Sequence, residues 1–305
     1  MKVISYRHKG TSGVGVMVDD NGFVALSVAA PELPNYLRGI IEIDPNLNHV
    51  RSAVKGKPAD MSIDEITFDP VIPEPHASWA LALNYTLHIE ETGLTTSPDY
   101  PQIFLRMPIS QVGHGEELWA PHLKIAEAYD YEGELAVIIG KPGRFISREN
   151  AFDHVAGYSC YNEGSVREYQ SQNRQFGLGK NFERSGSFGP WLMTPDEFGD
   201  PANHTLITRL NGIERQNAKI SGMLFDVPRL IEYLSEGYTL QPGDVIVSGS
   251  PGALPLRPSE TPEKPRGPVK VEGQLHMRAG DVCEVEIDGL GILSNPVITD
   301  PTPVP

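Results

Sequence analysis

One stretch restricts this chain more than any other: Tyr129-Asp130-Tyr131-Glu132-Gly133-Glu134-Leu135-Ala136-Val137-Ile138-Ile139-Gly140, in which two carboxylates lead into an uninterrupted apolar run. Leu135 to Ile139 is rich in β-branched residues, too short for a helix and closed by Gly140 and a Lys-Pro-Gly turn, so it predicts a strand. Both faces are apolar, with Leu135, Val137 and Ile139 on one and Ala136 and Ile138 on the other, which predicts cover on both sides. Side chains two apart on a strand share a face, their Cα atoms roughly 6.5 to 7 Å apart, so Glu132 and Glu134 point the same way. Ionised groups are seldom buried without a partner or a metal, because desolvating a charge is costly. The pair is therefore a candidate cation site. Glu284 and Glu286 form a second Glu-x-Glu, but Cys283, Val285 and Ile287 take the opposite face there, and those acids are expected to be solvated.

A chain of 305 residues can bury a large core without disulfide or metal staples. Its 30 Gly and 27 Pro favour many short strands and turns over a helical bundle. The net charge of −15 argues against nucleic acid and anionic membranes as partners. Cys160 and Cys283 lie far apart in apolar segments and read as buried free thiols, which suits a reducing compartment. The first residues turn polar at once and no run approaches 18 apolar residues, so the expected location is cytoplasmic.

Along the chain, Val3 to Leu26 predicts two or three strands, with turns at Gly10 to Gly13 and at Asp19-Asp20-Asn21-Gly22. Residues 31–65 carry short helical periodicity at Leu37, Ile40 and Ile41, and Pro70, Pro73 and Pro75 follow. The expected organisation is a small N-terminal α/β module over residues 1–72 and a main domain over residues 73–305. Strands are expected at Trp79 to Leu83, Gln102 to Arg106 and Gly189 to Met193. A short helix is expected over Ala151 to Gly157, and a loop and short helix over Asn84 to Gly93. On such a helix His88 and Glu91 stand one turn apart and can touch. Leu206 to Leu210 with Asn211-Gly212 predicts a hairpin, Val227 to Leu234 an amphipathic helix, and Asp281 to Val297 a closing hairpin. Val245 to Val247 delivers Ser248-Gly249-Ser250 at its end, where sites often form, and the Pro-rich residues 253–268 read as a surface loop.

Several chemistries lose ground. No His-Glu-x-x-His zinc pattern, Gly-x-Ser-x-Gly elbow or complete Gly-x-Gly-x-x-Gly fingerprint occurs, and Gly177-x-Gly179-Lys180 lacks the spacing and hydroxyl of a phosphate loop. A carboxylate-only cluster suits a hard cation: Mg²⁺, with Mn²⁺ or Ca²⁺ as alternatives.

With these residues in view, the chain resembles the fumarylacetoacetate hydrolase family over roughly residues 75–298. The resemblance is carried by Asn84-Tyr85 with His88 and Glu91, Phe104-Leu105-Arg106, Tyr131 to Ala136, Lys180-Asn181-Phe182, Gly189-Pro190-Trp191, Arg215-Gln216, Gln241 to Asp244 and Ser248 to Pro251. It implies an α+β, predominantly β fold, a mixed sandwich or roll, usually dimeric, with a divalent metal on three carboxylates. Glu132 and Glu134 fall on two ligand positions. The third, normally Asp, is Glu163 here, one methylene longer. Arg106 stands where lysine is common, and Ser248 and Ser250 where threonine is usual.

The resemblance further implies a small-molecule keto acid substrate whose carbon-carbon bond is cleaved to leave an enolate, the metal acting as electron sink. His88, oriented by Glu91, would activate water, Lys180 would assist, and Arg106, Arg167, Gln216 and Ser250 would hold the substrate. A decarboxylase or isomerase of an oxaloacetate-like acid would share the site without needing the attacking water. A non-catalytic metabolite-binding protein is the competing class. No nucleic acid or membrane partner is expected.

Overall fold

The computed structural model describes residues 1–86, 96–173, 175–255 and 275–305. His88, Glu91 and Gly93 lie outside the described residues, as does most of the Pro-rich 253–268 segment.

The apolar run is a strand, Gly133–Ile139, buried at every position. It lies inside a large mixed sheet, between the antiparallel strands Val155–Asn162 and Val245–Val247. One way from this centre the sheet passes through Gly186–Met193 to Lys2–His8, Thr11–Met17, Gly22–Ala25 and Met61–Ser62. The other way it passes through Val245–Val247 to Ser78–Ala82, paired in parallel, and ends at Gln102–Leu105. A five-stranded sheet, in the order Ile213–Lys219, Thr205–Leu210, Val282–Ile287, Gly291–Thr299 and Leu118–Ala120, packs on one face. The architecture is α+β and predominantly β, two large sheets and a two-stranded ribbon, Tyr129–Asp130 with Ser165–Val166, among the described residues.

The two faces of the central strand bury as their alternation requires. Leu135, Val137 and Ile139 join Leu206, Val285, Ile287 and Leu293 of the second sheet in one core. Ala136 and Ile138 join Leu37, Ile40 and Val247 in another, on the side covered by Leu37–Ile43. The helix Val227–Gly237 closes the first core with Leu230, Ile231 and Leu234, each worth about 1.5–3 kcal/mol on burial. Asp226 caps it by accepting from Arg229 N at 2.9 Å.

Three local expectations change. The first turn is two residues, Lys9-Gly10, both with positive φ, and Gly13 sits inside a strand opposite Tyr6, whose ring would lie 2.6 Å from a Cβ there. The segment before Val155 is a 3₁₀ helix, Arg148–His154, and Val155 already belongs to a strand. Glu132 lies between the short strand Tyr129–Asp130 and Gly133–Ile139 rather than within one strand, because its N–H donates to the Asn162 side chain and its carbonyl accepts from Glu163 N. The N-terminal strands continue the main sheet, since Lys2–His8 is hydrogen-bonded to Gly186–Met193.

Candidate metal centre and active site

Glu134 sits on the central strand, and Glu163 lies just beyond the end of its partner, Val155–Asn162. The register sets Gly133 opposite Asn162, so Glu163 arrives beside Glu132, and the backbone bond from Glu163 N to Glu132 O, 2.7 Å, fixes the approach. The result is a triad, Glu132, Glu134 and Glu163, each offering a carboxylate oxygen within 4.8 Å of the others, and all buried. Gly164 makes this chain path possible: a Cβ there would fall 1.6 Å from the Ser185 carbonyl oxygen.

Two cations hold the triad from one side. Lys180 Nζ donates to Glu132 Oε2 at 2.5 Å and to Glu163 Oε2 at 2.8 Å. Arg167 NH1 donates to Glu132 Oε1 at 2.5 Å and to Gln170 Oε1 at 2.8 Å, while its Nε and NH2 meet Asp130 Oδ2 at 2.9 and 2.7 Å. Burial opposes the charge of Arg167, but Glu132 and Asp130 outweigh it and raise its pKa. Glu134 Oε2 accepts from Gly249 N at 2.5 Å. Glu134 Oε1 and Glu163 Oε1 have no hydrogen-bond partner.

Burial, then repulsion from Glu163 and Glu132, raises the Glu134 carboxyl well above the usual range, with Lys180 opposing. Glu163 is raised by burial against the pull of Lys180. Two buried carboxylates in one cluster, with one bare oxygen each, are a donor set in want of a cation.

The other residues named from sequence divide by position. Gln216 and Ser250 meet: Gln216 Oε1 accepts from Gly133 N at 3.0 Å, and its Nε2 donates to Ser250 Oγ and Pro251 O, both at 2.7 Å. Gln216 thus ties the start of the central strand to the turn after Val245–Val247. Arg106 follows Gln102–Leu105 and donates from NH1 to Gly164 O at 3.0 Å. Arg167 bonds Asp130 and Glu132, not Glu163 four residues before it. Asp130 is the residue that sequence reasoning misses. Its signal is the same period of two that marks Glu132 and Glu134, continued one step back.

Two packed sheets that carry a buried carboxylate triad, flanked by Lys180 and two arginines, define an α+β protein with a candidate metal centre at the end of its central strands. The chain belongs to the fumarylacetoacetate hydrolase family: the model of the fumarylacetoacetate hydrolase C-terminal domain matches residues 77–298. It is 33% identical over 301 residues to an oxaloacetate tautomerase of Bacillus subtilis, covering 93% of this chain and 95% of that one. It is 36% identical over 213 residues to a 2,4-didehydro-3-deoxy-L-rhamnonate hydrolase of a Sphingomonas species, covering 70% of each. In fold it is similar to a maleylpyruvate hydrolase of a Sphingobium species, crystallised with manganese(II) and pyruvate. The TM-score is 0.77 at 24% identity, with 98% of this chain and 99% of that one covered. The family is one of enzymes, hydrolases and tautomerases acting on small keto acids among them. No helix among the described residues is long and apolar enough to cross a membrane.

Proposed function

We propose that this protein is a divalent-cation-dependent enzyme that interconverts the keto and enol forms of a 2-oxo acid. The observation that carries the reading is the buried triad with bare oxygens on Glu134 and Glu163. Three hard oxygen donors suit Mg²⁺ or Mn²⁺, with Ca²⁺ less suited to so few ligands, and Glu132, Glu134 and Glu163 would hold the ion. When bound, it would polarise the substrate's carbonyl and offset the negative charge of its enol form.

The chain's own residues supply the rest. Arg167, anchored by Asp130, and Lys180 hold the Glu132 carboxylate in place. Lys180 Nζ lies 5.3 Å from the Phe104 ring centroid, and the Phe104 ring meets that of Phe176, so this buried amine borders an apolar wall. His88, oriented by Glu91, is the proposed base for the carbon-bound proton, a role resting on sequence spacing and family resemblance. Tautomerisation moves that proton from carbon to the carbonyl oxygen and breaks no carbon-carbon bond.

Carbon-carbon hydrolysis of an acylpyruvate-type keto acid is the second reading, favoured by the 36% identity to a 2,4-didehydro-3-deoxy-L-rhamnonate hydrolase. It needs the same enol form and, in addition, a water activated by His88. We further propose a homodimer in the cytoplasm; the buried thiols of Cys160 and Cys283 suit a reducing compartment.

The decisive assay follows the ultraviolet absorbance of enol oxaloacetate with Mn²⁺ and with chelator. Metal-dependent loss of the enol signal without carbon dioxide or pyruvate release supports tautomerisation. Pyruvate from an acylpyruvate supports hydrolysis, pyruvate and carbon dioxide from oxaloacetate would mark a decarboxylase, and no turnover of either substrate refutes the proposal.

A further inference from the structure

Asn84 follows Ser78–Ala82 and is fully buried. Leu83, at φ +59°, turns the chain out of that strand, and the Asn84 side chain meets two other segments. Its Oδ1 accepts from Phe225 N at 2.8 Å, and its Nδ2 donates to Phe225 O at 3.0 Å and to Ser248 O at 2.7 Å. A side-chain amide has two N–H donors and one carbonyl oxygen, so both donors and the oxygen are engaged and the pattern fixes which way the amide faces.

The bond to Ser248 O reaches further than its own energy, because Ser248 O and Gly249 N belong to one peptide unit. That unit is planar and trans, so its carbonyl and its N–H point in opposite directions. Gly249 N donates to Glu134 Oε2 at 2.5 Å. Asn84 therefore holds one end of a peptide whose other end holds a carboxylate of the triad, a relay in which each hydrogen bond polarises the next. On one side of this peptide Ser248 is pinned to the central strand, its N donating to Leu135 O at 3.0 Å and its Oγ accepting from Leu135 N at 3.2 Å. On the other side stands a glycine at φ +90°, a residue whose freedom lets the peptide plane turn over. Such a turn would aim the Ser248 carbonyl at Glu134 and replace a donor by an acceptor. Glycine is also what lets Asn84 come this close, since a Cβ on Gly249 would fall 2.6 Å from the Asn84 Cβ.

We infer that Asn84 is a positioning residue for the cation site: it locks the Ser248–Gly249 peptide with the N–H on Glu134 Oε2, which leaves Oε1 as the oxygen for the cation. Its amide is spent on Ser248 and Phe225, so it acts through Gly249 and Glu134. The inference rests on the reading of the triad as a divalent-cation site and is independent of whether the chemistry is tautomerisation or hydrolysis.

The test measures Mn²⁺ affinity in the full-length protein, from the electron paramagnetic resonance signal of the free ion. Asn84→Ala and Asn84→Leu, the second keeping the branched shape, both remove the donor to Ser248 O and should weaken Mn²⁺ binding about ten- to a hundredfold, the usual effect of losing a group that orients a metal ligand. Leu293→Ala, a core truncation in the second sheet, gauges what lost stability alone does: it should lower the melting temperature and keep the wild-type affinity. A further measurement needs no variant to fold. In the metal-free wild type the Gly249 amide should exchange its hydrogen as slowly as the amides of Gly133–Ile139. Wild-type affinity in either Asn84 variant, an equal loss in Leu293→Ala, or rapid exchange at Gly249 overturns this inference while leaving the cation site standing. A wild-type protein that binds no Mn²⁺ defeats the cation-site reading, and this inference with it.

Discussion

Replacing Glu134 by Gln tests whether the triad is a cation site or an ordinary buried cluster. The Glu134 carboxyl is fully buried, and burial, followed by repulsion from Glu163 and Glu132, raises its pKa. A raised folded-state value means that this group's contribution to stability is present below the unfolded pKa and lost as pH rises through the folded one. Ionising this carboxyl is therefore a burden on the metal-free protein. In Glu134→Gln the amide oxygen can keep the bond from Gly249 N, and the amide nitrogen can face the bare Glu163 Oε1. The metal-free variant should melt no lower than wild type, and higher if the charge is the main cost. Added cation reverses the order. A ligand held at about 100 times its Kd stabilises by about 2.7 kcal/mol. For 305 residues at about 2.1 cal/mol/K each, the unfolding entropy is about 0.64 kcal/mol/K, so wild type should gain about 4 °C. Glu134→Gln should gain almost nothing. Calorimetry in chelator and in Mn²⁺ reads both effects. An equal Mn²⁺-induced rise in the two proteins would refute the assignment of Glu134 as a ligand. A metal-free variant melting several degrees below wild type would show that the buried charge stabilises the fold.

The exposed apolar residues Leu105, Met107 and Ile109, each more than half exposed, with the backbones of Leu105 and Met107 tied to Asn181 beside Lys180, support the proposed homodimer. Met107→Glu should convert a dimer to monomer in light scattering. A wild-type protein that is monomeric at micromolar concentration ends that proposal. Asp244 offers a pH test: burial raises its carboxyl to about 6 despite donation from Gln241 N and Ala77 N, so the stability it contributes is present below about pH 4 and lost as pH rises through about 6. Relative to Asp244→Asn, wild type should gain about 1–2 kcal/mol between pH 6.5 and 4.5 in urea unfolding, a figure reduced for solvent screening. A difference independent of pH would show that the Asp244 carboxyl is not raised.

The central strand is legible in sequence because five consecutive apolar residues can be hidden only by cover on both faces, and both covers exist. The same-face relation of Glu132 and Glu134 is legible because it depends only on the local period of two. The solvated character of Glu284 and Glu286, partly exposed opposite buried Cys283, Val285 and Ile287, follows from alternation alone.

Tertiary structure decides what local pattern cannot. Glu163 joins the triad through the pairing of two strands and a Gly164 that tolerates the Ser185 carbonyl, and only family resemblance points to it in advance. Arg167 lies closer in sequence to Glu163 yet bonds Asp130, 37 residues away, because the short strand Tyr129–Asp130 pairs with Ser165–Val166. Gln216, Ser250 and Gly133 come from three separate segments and meet only where those segments cross. Whether a buried donor has a partner is likewise invisible in sequence. Arg106 and Tyr161 look like any charged residue at a strand end and any aromatic residue in a strand. Only the folded chain removes both from water and sets the Tyr161 hydroxyl beside the Arg106 guanidinium.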